Sequence, residues 1–361
     1  MSLSPASQLV IRNIDQFEEG NWLVINADDA GLFPALQAFS LTALHQFFDV
    51  FCQATGRNGA AQFDSRDICE EPKAIHITAE NGQHKHVFAP YLNNAEATDV
   101  LLFLPKAKAH LSMLMAMAAN LVGNNGRVHV VGENKGGIKS AGKTMQQFGA
   151  VQKLDSARHC SWVTCEVSHA PGSFSLHDWT AIDTYTLNEH EWQVCSLPGV
   201  FSHRELDAGT ELLLSKLPKT ISGSVLDFAC GAGVIASYLL SGGARIQAEL
   251  LDVSALALWC SAHTLEQNGS QGNIIAADTL NGVTHRFQTI VTNPPFHTGV
   301  KTDYRITREF ISGAKQRLTS NGKLYLVSNR FLPYAELLDE QFKQPATLAQ
   351  NTRFSVYFAQ N

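Results

Sequence analysis

The segment Val225-Leu226-Asp227-Phe228-Ala229-Cys230-Gly231-Ala232-Gly233-Val234-Ile235-Ala236 reads as an apolar strand, a turn of small residues and an apolar helix. Gly231 and Gly233 let the backbone turn tightly and approach a ligand closely, and the start of the following helix offers unpaired N–H groups to an anion. Such a unit belongs to an open α/β sheet, whose ligands bind outside the carboxyl ends of the strands. Taken alone, Gly-x-Gly-x-x-Ala also fits a dinucleotide fingerprint, and Asp252 follows Gly233 by nineteen residues, where a ribose-binding acid belongs. A nicotinamide enzyme is therefore one reading. Against it stands Asp227 at the end of the strand, because a carboxylate suits a cofactor with a cationic amino-acid group better than a pyrophosphate.

Further strands end in polar groups. Ile246 to Asp252 reads as a second strand whose terminal acid can accept both hydroxyls of a ribose, and Asn273 to Asp278 as a third whose Asp278 can accept from an adenine amino group. A fourth apolar run, Phe287 to Thr292, leads into Asn293-Pro294-Pro295-Phe296. An amino nitrogen conjugated to a ring or carbonyl is a poor nucleophile, so a site that alkylates it must hold both N–H bonds. The Asn293 oxygen can accept one. The carbonyl of Pro294, in a stretch stiffened by two prolines, can accept the other, while Phe296 offers a flat face for stacking. A stiffened turn with solvated acids would share each of these features singly, but not all of them at consecutive strand ends.

On these motifs the second half resembles class I S-adenosylmethionine-dependent methyltransferases. The resemblance narrows with Leu197-Pro198-Gly199-Val200-Phe201-Ser202, Leu206-Asp207-Ala208-Gly209 and Phe331-Leu332-Pro333-Tyr334, and in the first half with Val131 to Ala141 and Asp155-Ser156-Ala157-Arg158. Together these are similar to the ribosomal RNA small subunit methyltransferase C family. That resemblance implies methyl transfer from S-adenosylmethionine to N2 of a guanine in 16S rRNA, within the assembled small subunit. It implies cofactor contacts from Asp227, Ala229, Cys230, Gly231, Gly233, Asp252, Val253, Asp278, Thr279 and Asn293. Catalysis falls to Asn293, Pro294, Pro295 and Phe296, and substrate contact to Phe201, Phe296, His297, Arg305 and Arg308. His297 can take the released proton or pack the turn. One departure is Ala229, where the superfamily usually has glycine. Adenine or protein-glutamine methylation, or a noncatalytic RNA-binding assembly role, would fit the same tetrapeptide or the inert half.

The 361 residues, 45% hydrophobic and 17% charged, suit two globular domains. We place them at 1–185 and 186–361, joined near the polar stretch 168–191. The longest apolar stretch, around Leu111 to Val122, is a buried helix rather than a membrane span. Seven cysteines show no Cys-x-x-Cys spacing, which indicates neither a zinc site nor a disulfide framework and fits reduced thiols in the cytoplasm; no metal is expected. A net charge of −6 argues against broad affinity for nucleic acid, so RNA contact must use local patches. One candidate is the helix carrying Arg305, Arg308 and Lys315, with Lys301, Arg317, Lys323 and Arg330 nearby; a second is Arg127, Lys135, Lys139, Lys143 and Lys153.

The first half contains a faint copy of the second. Asp99 to Pro105 parallels Gln288 to Pro294, so that Leu104 stands for Asn293 and Lys106 for the second proline, while Trp22 to Gly31 occupies the place of the cofactor loop with Asp28-Asp29 in it. The fold expected is two tandem Rossmann-like methyltransferase domains. The first is degenerate and binds no cofactor, serving RNA recognition or support. The second has a seven-stranded, mostly parallel sheet with strands near 224–229, 246–252, 272–277, 287–292 and 322–328, and a terminal antiparallel hairpin around Asn351-Thr352. Fusing two such halves in one chain favours a monomer.

Overall fold

The structure, a computed structural model, describes residues 3–71, 73–295 and 304–361, without the side chains of 304–306 and 344. In the first half run β1 (Trp22–Ile25), β2 (Leu41–His45), β3 (Ala61–Asp64), β4 (Ile77–Asn81), β5 (His84–Phe88), β6 (Asp99–Phe103), β7 (Arg127–Glu133), β8 (Gly149–Ala157) and β9 (Cys160–Val167). All except β3 form one sheet, in the order β4-β5-β2-β1-β6-β7-β9-β8. The polar join contains β10 (Ala181–Leu187), which pairs antiparallel with β11 (His190–Ser196) as a separate ribbon. Then follow β12 (Gly223–Phe228), β13 (Ile246–Asp252), β14 (Asn273–Ala276), β15 (Phe287–Thr292), β16 (Leu318–Asn329), β17 (Lys343–Gln350) and β18 (Phe354–Gln360).

The second sheet runs β17-β18-β16-β15-β12-β13-β14-β3. Its five parallel strands stand close to the positions expected from the apolar runs, except that β16 starts earlier, at Leu318. The terminal hairpin is β17 and β18. Residues 186–361 supply the seven strands expected, and the first half adds an eighth: β3 pairs antiparallel with β14, Ala61 opposite Ala276 and Asp64 opposite Asn273. The compact units are accordingly not contiguous halves. One comprises Met1–Arg57, Ile75–Thr180 and Leu197–Gly199; the other comprises Asn58–Ala74, Ala181–Ser196 and Val200–Asn361.

Within the second unit, Leu226, Leu251, Ile275, Ile290, Leu324 and Leu326 project from the strands onto Ile311, Ala314, Leu337 and Leu338 of the helices Tyr304–Arg317 and Tyr334–Gln341. Each such buried aliphatic side chain contributes about 1.5–3 kcal/mol, the driving force that holds the strand ends in place. The apolar stretch of the first half is the helix Lys108–Val122, as read. Among the described residues no helix is long and apolar enough to cross a membrane.

Strand for strand, the first sheet repeats the pairing of the second, with β1 flanked by β2 and β6 as β12 is by β13 and β15. Ile25 lies opposite Leu44 and Leu102, as Phe228 lies opposite Leu251 and Thr292. This register moves the correspondence by one residue from the sequence alignment. Phe103, not Leu104, takes the place of Asn293; Val24 takes that of Asp227 and His45 that of Asp252. His45 is buried against His86, and burial, with the His86 ring second, pushes its pKa down to about 3. At the equivalent positions the first unit therefore carries apolar or neutral buried groups. Its Asp29 is engaged elsewhere, accepting from Ser4 N at 3.0 Å and Ser7 Oγ at 2.8 Å.

Because β3 closes the β14 edge, residues 186–361 expressed alone should expose the backbone of Asn273–Ala276 and self-associate. Adding residues 58–74 in trans or as a fusion should restore a monomer, and light scattering reads the difference. A monodisperse, cooperatively melting 186–361 fragment would show that β3 is dispensable.

Candidate active site

The turn after β12 follows from three left-handed residues, Ala229 (φ 57°), Gly231 (φ 54°) and Gly233 (φ 74°). Gly233 has a second constraint, since a Cβ there would stand 3.1 Å from both Leu250 Cδ2 and Ser261 Cα. At Gly231 a Cβ would meet nothing within 4 Å, which leaves open space beside the turn. The turn is tied down at Cys230 and Gly231. Cys230 N donates to the Leu251 carbonyl at 3.0 Å, Ser261 Oγ donates to the Gly231 carbonyl at 2.9 Å, and Gly231 N donates to Asp252 Oδ2 at 2.9 Å.

Asp227 is 1% exposed. Its Oδ2 accepts from Ala236 N at 3.0 Å, in the first turn of the helix Val234–Ser241, while Oδ1 is buried with no hydrogen-bond partner. Burial pushes this carboxyl well above the usual range, against the single N–H bond that lowers it. Asp252 is also raised by the protein packed around it, less so because three backbone donors, Ser254, Gly231 and Val253, oppose the shift. Its Oδ1 accepts from Ser254 N at 2.9 Å and its Oδ2 from Gly231 N, leaving each oxygen further acceptor capacity. Cys230 is buried beside Ser261 Oγ at 3.2 Å, and burial drives its thiol up.

Asn293 follows β15 directly. Its Nδ2 donates to Asp207 Oδ2 and to Thr210 Oγ1, both at 2.9 Å. The same Asp207 oxygen accepts from Thr210 N at 2.8 Å and so caps the helix Ala208–Leu214. With its nitrogen held in this way, the amide turns its Oδ1 away from Asp207. Thr292 Oγ1 donates to the Phe228 carbonyl at 2.7 Å, joining the ends of β15 and β12. Asp207, Thr210 and Thr292 are functional neighbours that the motif reading did not assign. The signal for Asp207 was its place in the Leu206 to Gly209 segment, which carried the family resemblance but assigned Asp207 no role.

The structure thus brings Asp227, the turn Ala229 to Gly233, Asp252 and Asn293 to adjacent ends of β12, β13 and β15, with Val253 half-buried beside them. Pro294 is buried and Pro295 exposed. Asp278 and Thr279, after β14, are exposed, and Thr279 Oγ1 caps a short turn through Asn281 N. Phe201 is 63% exposed. Phe296, His297 and the Arg305 side chain lie outside the described residues. Arg308 is exposed and 3.7 Å from Glu340. Lys315 is half-buried; it donates to the Gln341 carbonyl and lies over the Phe342 ring. Arg317 bonds the Leu280 carbonyl.

The sequence model of the methyltransferase small domain family matches residues 191–358, and that of its N-terminal domain matches residues 7–182. Ribosomal RNA small subunit methyltransferase C of Alteromonas mediterranea is 53% identical over 99% of both chains. The chain belongs to the ribosomal RNA small subunit methyltransferase C family. The family's representative from Pseudoalteromonas atlantica is 42% identical over 98% of both chains. Among solved structures, the T. thermophilus 16S rRNA N2 G1207 methyltransferase, in complex with AdoMet and guanosine, superposes with a TM-score of 0.80 at 23% identity, over 99% of this chain and 92% of that one. That structure shares the fold of two methyltransferase domains.

Two outcomes follow for this methyltransferase C family member. Asp207→Ala should lower kcat for methyl transfer by about 10- to 100-fold through misplacement of the Asn293 amide, with KM for the methyl donor little changed. Asp207→Asn, which keeps an oxygen acceptor, should recover part of the loss, and steady-state kinetics distinguish the two. Ala229→Gly should stabilise the protein by about 0.5–1 kcal/mol, because a left-handed alanine costs more than the added chain entropy of glycine. Denaturant unfolding measures it, and a loss of stability would contradict the strain.

Proposed function

We propose that the chain transfers a methyl group from S-adenosylmethionine to the exocyclic N2 of a guanine in 16S rRNA. The observation that carries this reading is the Asn293 amide, anchored through its nitrogen by Asp207 and Thr210 and placed one residue beyond the β12–β15 pair. Three features of the turn fit the methyl donor: the open space beside Gly231, the buried Asp227 Oδ1 awaiting a partner, and the acceptor capacity of Asp252. Asp227 suits the cationic amino-acid end through the turn, Asp252 the ribose hydroxyls, and Asp278 the adenine edge. When bound, the donor supplies an electrophilic methyl carbon on its sulfonium.

The guanine amine is held by the chain's own acceptors, one N–H on Asn293 Oδ1 and the other on the Pro294 carbonyl, so that its remaining electron pair faces the methyl carbon. Orientation supplies most of the rate. Extracting the base from its stack costs a few kcal/mol, and stacking on Phe296 offsets roughly 1–3 kcal/mol of that. The product amine sheds its proton readily, to solvent or to His297. Phe201 and Arg308 contact the RNA around the base, as does Arg305.

In the same reading the substrate is the assembled small subunit, consistent with a net charge of −6 that disfavours broad RNA affinity. The enzyme works as a monomer in the cytoplasm, in keeping with cysteines that are all free thiols. Residues 1–185 serve recognition or support and 186–361 catalysis, with 58–74 completing the catalytic sheet.

Mass mapping of nucleosides from cells lacking the protein should show one N2-methylguanine missing from 16S rRNA. Loss from 23S rRNA, DNA or protein instead would replace the acceptor. Asn293→Ala should reduce turnover by about 100-fold while donor affinity changes little. Turnover close to wild type would remove Asn293 from the mechanism.

A further inference from the structure

Away from the strand ends, the catalytic unit holds a second set of chemically capable side chains. Cys69 lies on the helix Ser65–Glu70, and His263 and Glu266 lie one turn apart on the helix Ala255–Gln267. One donor atom from each stands within 4.8 Å of the other two. His263 Nδ1 is 3.4 Å from Glu266 Oε2. The His263 ring is buried, with Trp259 packed on it at a centroid distance of 3.9 Å, whereas Cys69 is half-buried and Glu266 exposed.

A thiol, an imidazole and a carboxylate together suggest either an activated nucleophile or a metal centre. The surroundings of Cys69 argue against the first, because an activated thiol sits beside a cation or base, whereas here a carboxylate, Glu266, stands within 4.8 Å. A dication between them offsets that repulsion, because it stabilises the thiolate and is itself stabilised by the carboxylate.

We propose that Cys69, His263 and Glu266 bind a zinc-class divalent cation. On binding, the Cys69 thiol gives its proton to solvent and its sulfur bonds the metal, while the neutral imidazole and the Glu266 carboxylate each donate a lone pair. One thiolate and one carboxylate cancel the charge of the dication, so the half-buried centre carries no net charge. Thiolate, imidazole and carboxylate are all ordinary zinc donors, with water as the fourth. Metal–donor bonds of about 2.0–2.3 Å need donors roughly 3–4 Å apart. The metal would have to draw the donors in from within 4.8 Å, and the exposed Glu266 side chain is the one with room to move.

The consequence is mechanical. Asp64, the last residue of β3, is the N-cap of the helix that carries Cys69, and its side chain accepts from Arg66 N. The Ala255–Gln267 helix connects β13 to β14. A shared ion would therefore clamp the four-residue edge strand β3 to the crossover beside it, where its pairing with β14 alone is short.

The full-length protein, stripped with a chelator, is titrated with Co²⁺ and then with Zn²⁺. One equivalent of Co²⁺ should bind with a near-ultraviolet thiolate-to-cobalt charge-transfer band, and Zn²⁺ should displace it and raise the thermal midpoint. Cys69→Ser should abolish the band and, as loss of a direct ligand, weaken Zn²⁺ binding by more than the roughly tenfold cost of losing an outer partner. Glu266→Gln should weaken Zn²⁺ binding, and Cys52→Ser should leave both the band and Zn²⁺ affinity intact. The proposal is overturned if no equivalent of Co²⁺ binds, or if Cys69→Ser retains the band.

Discussion

Phe228 and Thr292 lie directly opposite each other where β12 and β15 end, and the Thr292 hydroxyl closes onto the Phe228 carbonyl at 2.7 Å. The glycine turn and the Asn-Pro-Pro-Phe tetrapeptide each begin one residue beyond this pair. Their relative position is therefore set by sheet register rather than by two loops. A slip of one residue would turn the alternating side chains of β15 to the opposite face. The buried Ile290 and Val291, both 0% exposed, make such a slip costly, so the core beneath the sheet also fixes the geometry above it.

The same register exists in the other unit, where Ile25 faces Leu102. Val24, His45 and Phe103 stand where Asp227, Asp252 and Asn293 stand in the catalytic sheet, so no carboxylate or amide occupies those positions. Asn26 has a left-handed φ of 55°, matching the 57° of Ala229, so the two turns share a geometry without sharing these side chains. Asn26 now bonds Gln46, whose side chain also meets the Pro90 carbonyl and His110 Nε2. An internal network of neutral polar groups occupies the ends of these strands, and the fold persists because strand pairing and apolar burial never depended on a ligand.

How much of this was legible in the sequence depended on the range of the interaction. The parallel strands were readable because each is a short apolar run, and their terminal polar residues were readable because the carboxyl edge is where such folds bind ligands. β3 was not. Ala61-Gln62-Phe63-Asp64 is too short for a periodic signal, and its partners, Asn273 to Ala276, lie more than two hundred residues away. Asp207 was visible only within the Leu206 to Gly209 segment, since nothing local announces that its carboxylate reaches Asn293. Helical spacing put Arg305, Arg308 and Lys315 near one face, but spacing cannot show that Lys315 is drawn to the end of the neighbouring helix at Gln341. The one-residue shift from Leu104 to Phe103 has a similar origin, because an alignment of apolar runs cannot count pairing partners.

The candidate site carries two local departures from what is favourable. Ala229 is held left-handed, a conformation that costs an L-residue about 1–2 kcal/mol. Asp227 is buried with one oxygen unpartnered, and burial raises its carboxyl. Neither feature helps the protein fold, and both lie on the turn between a fully paired strand and a helix whose first turn Asp227 itself secures. The surrounding sheet over-determines the turn, so these costs cannot be relieved by local rearrangement. A ligand that gives Asp227 Oδ1 a donor removes one of them on binding. The favourable free energy of that step then appears as affinity for whatever carries the donor, and a cationic amino-acid group can supply it where a pyrophosphate cannot.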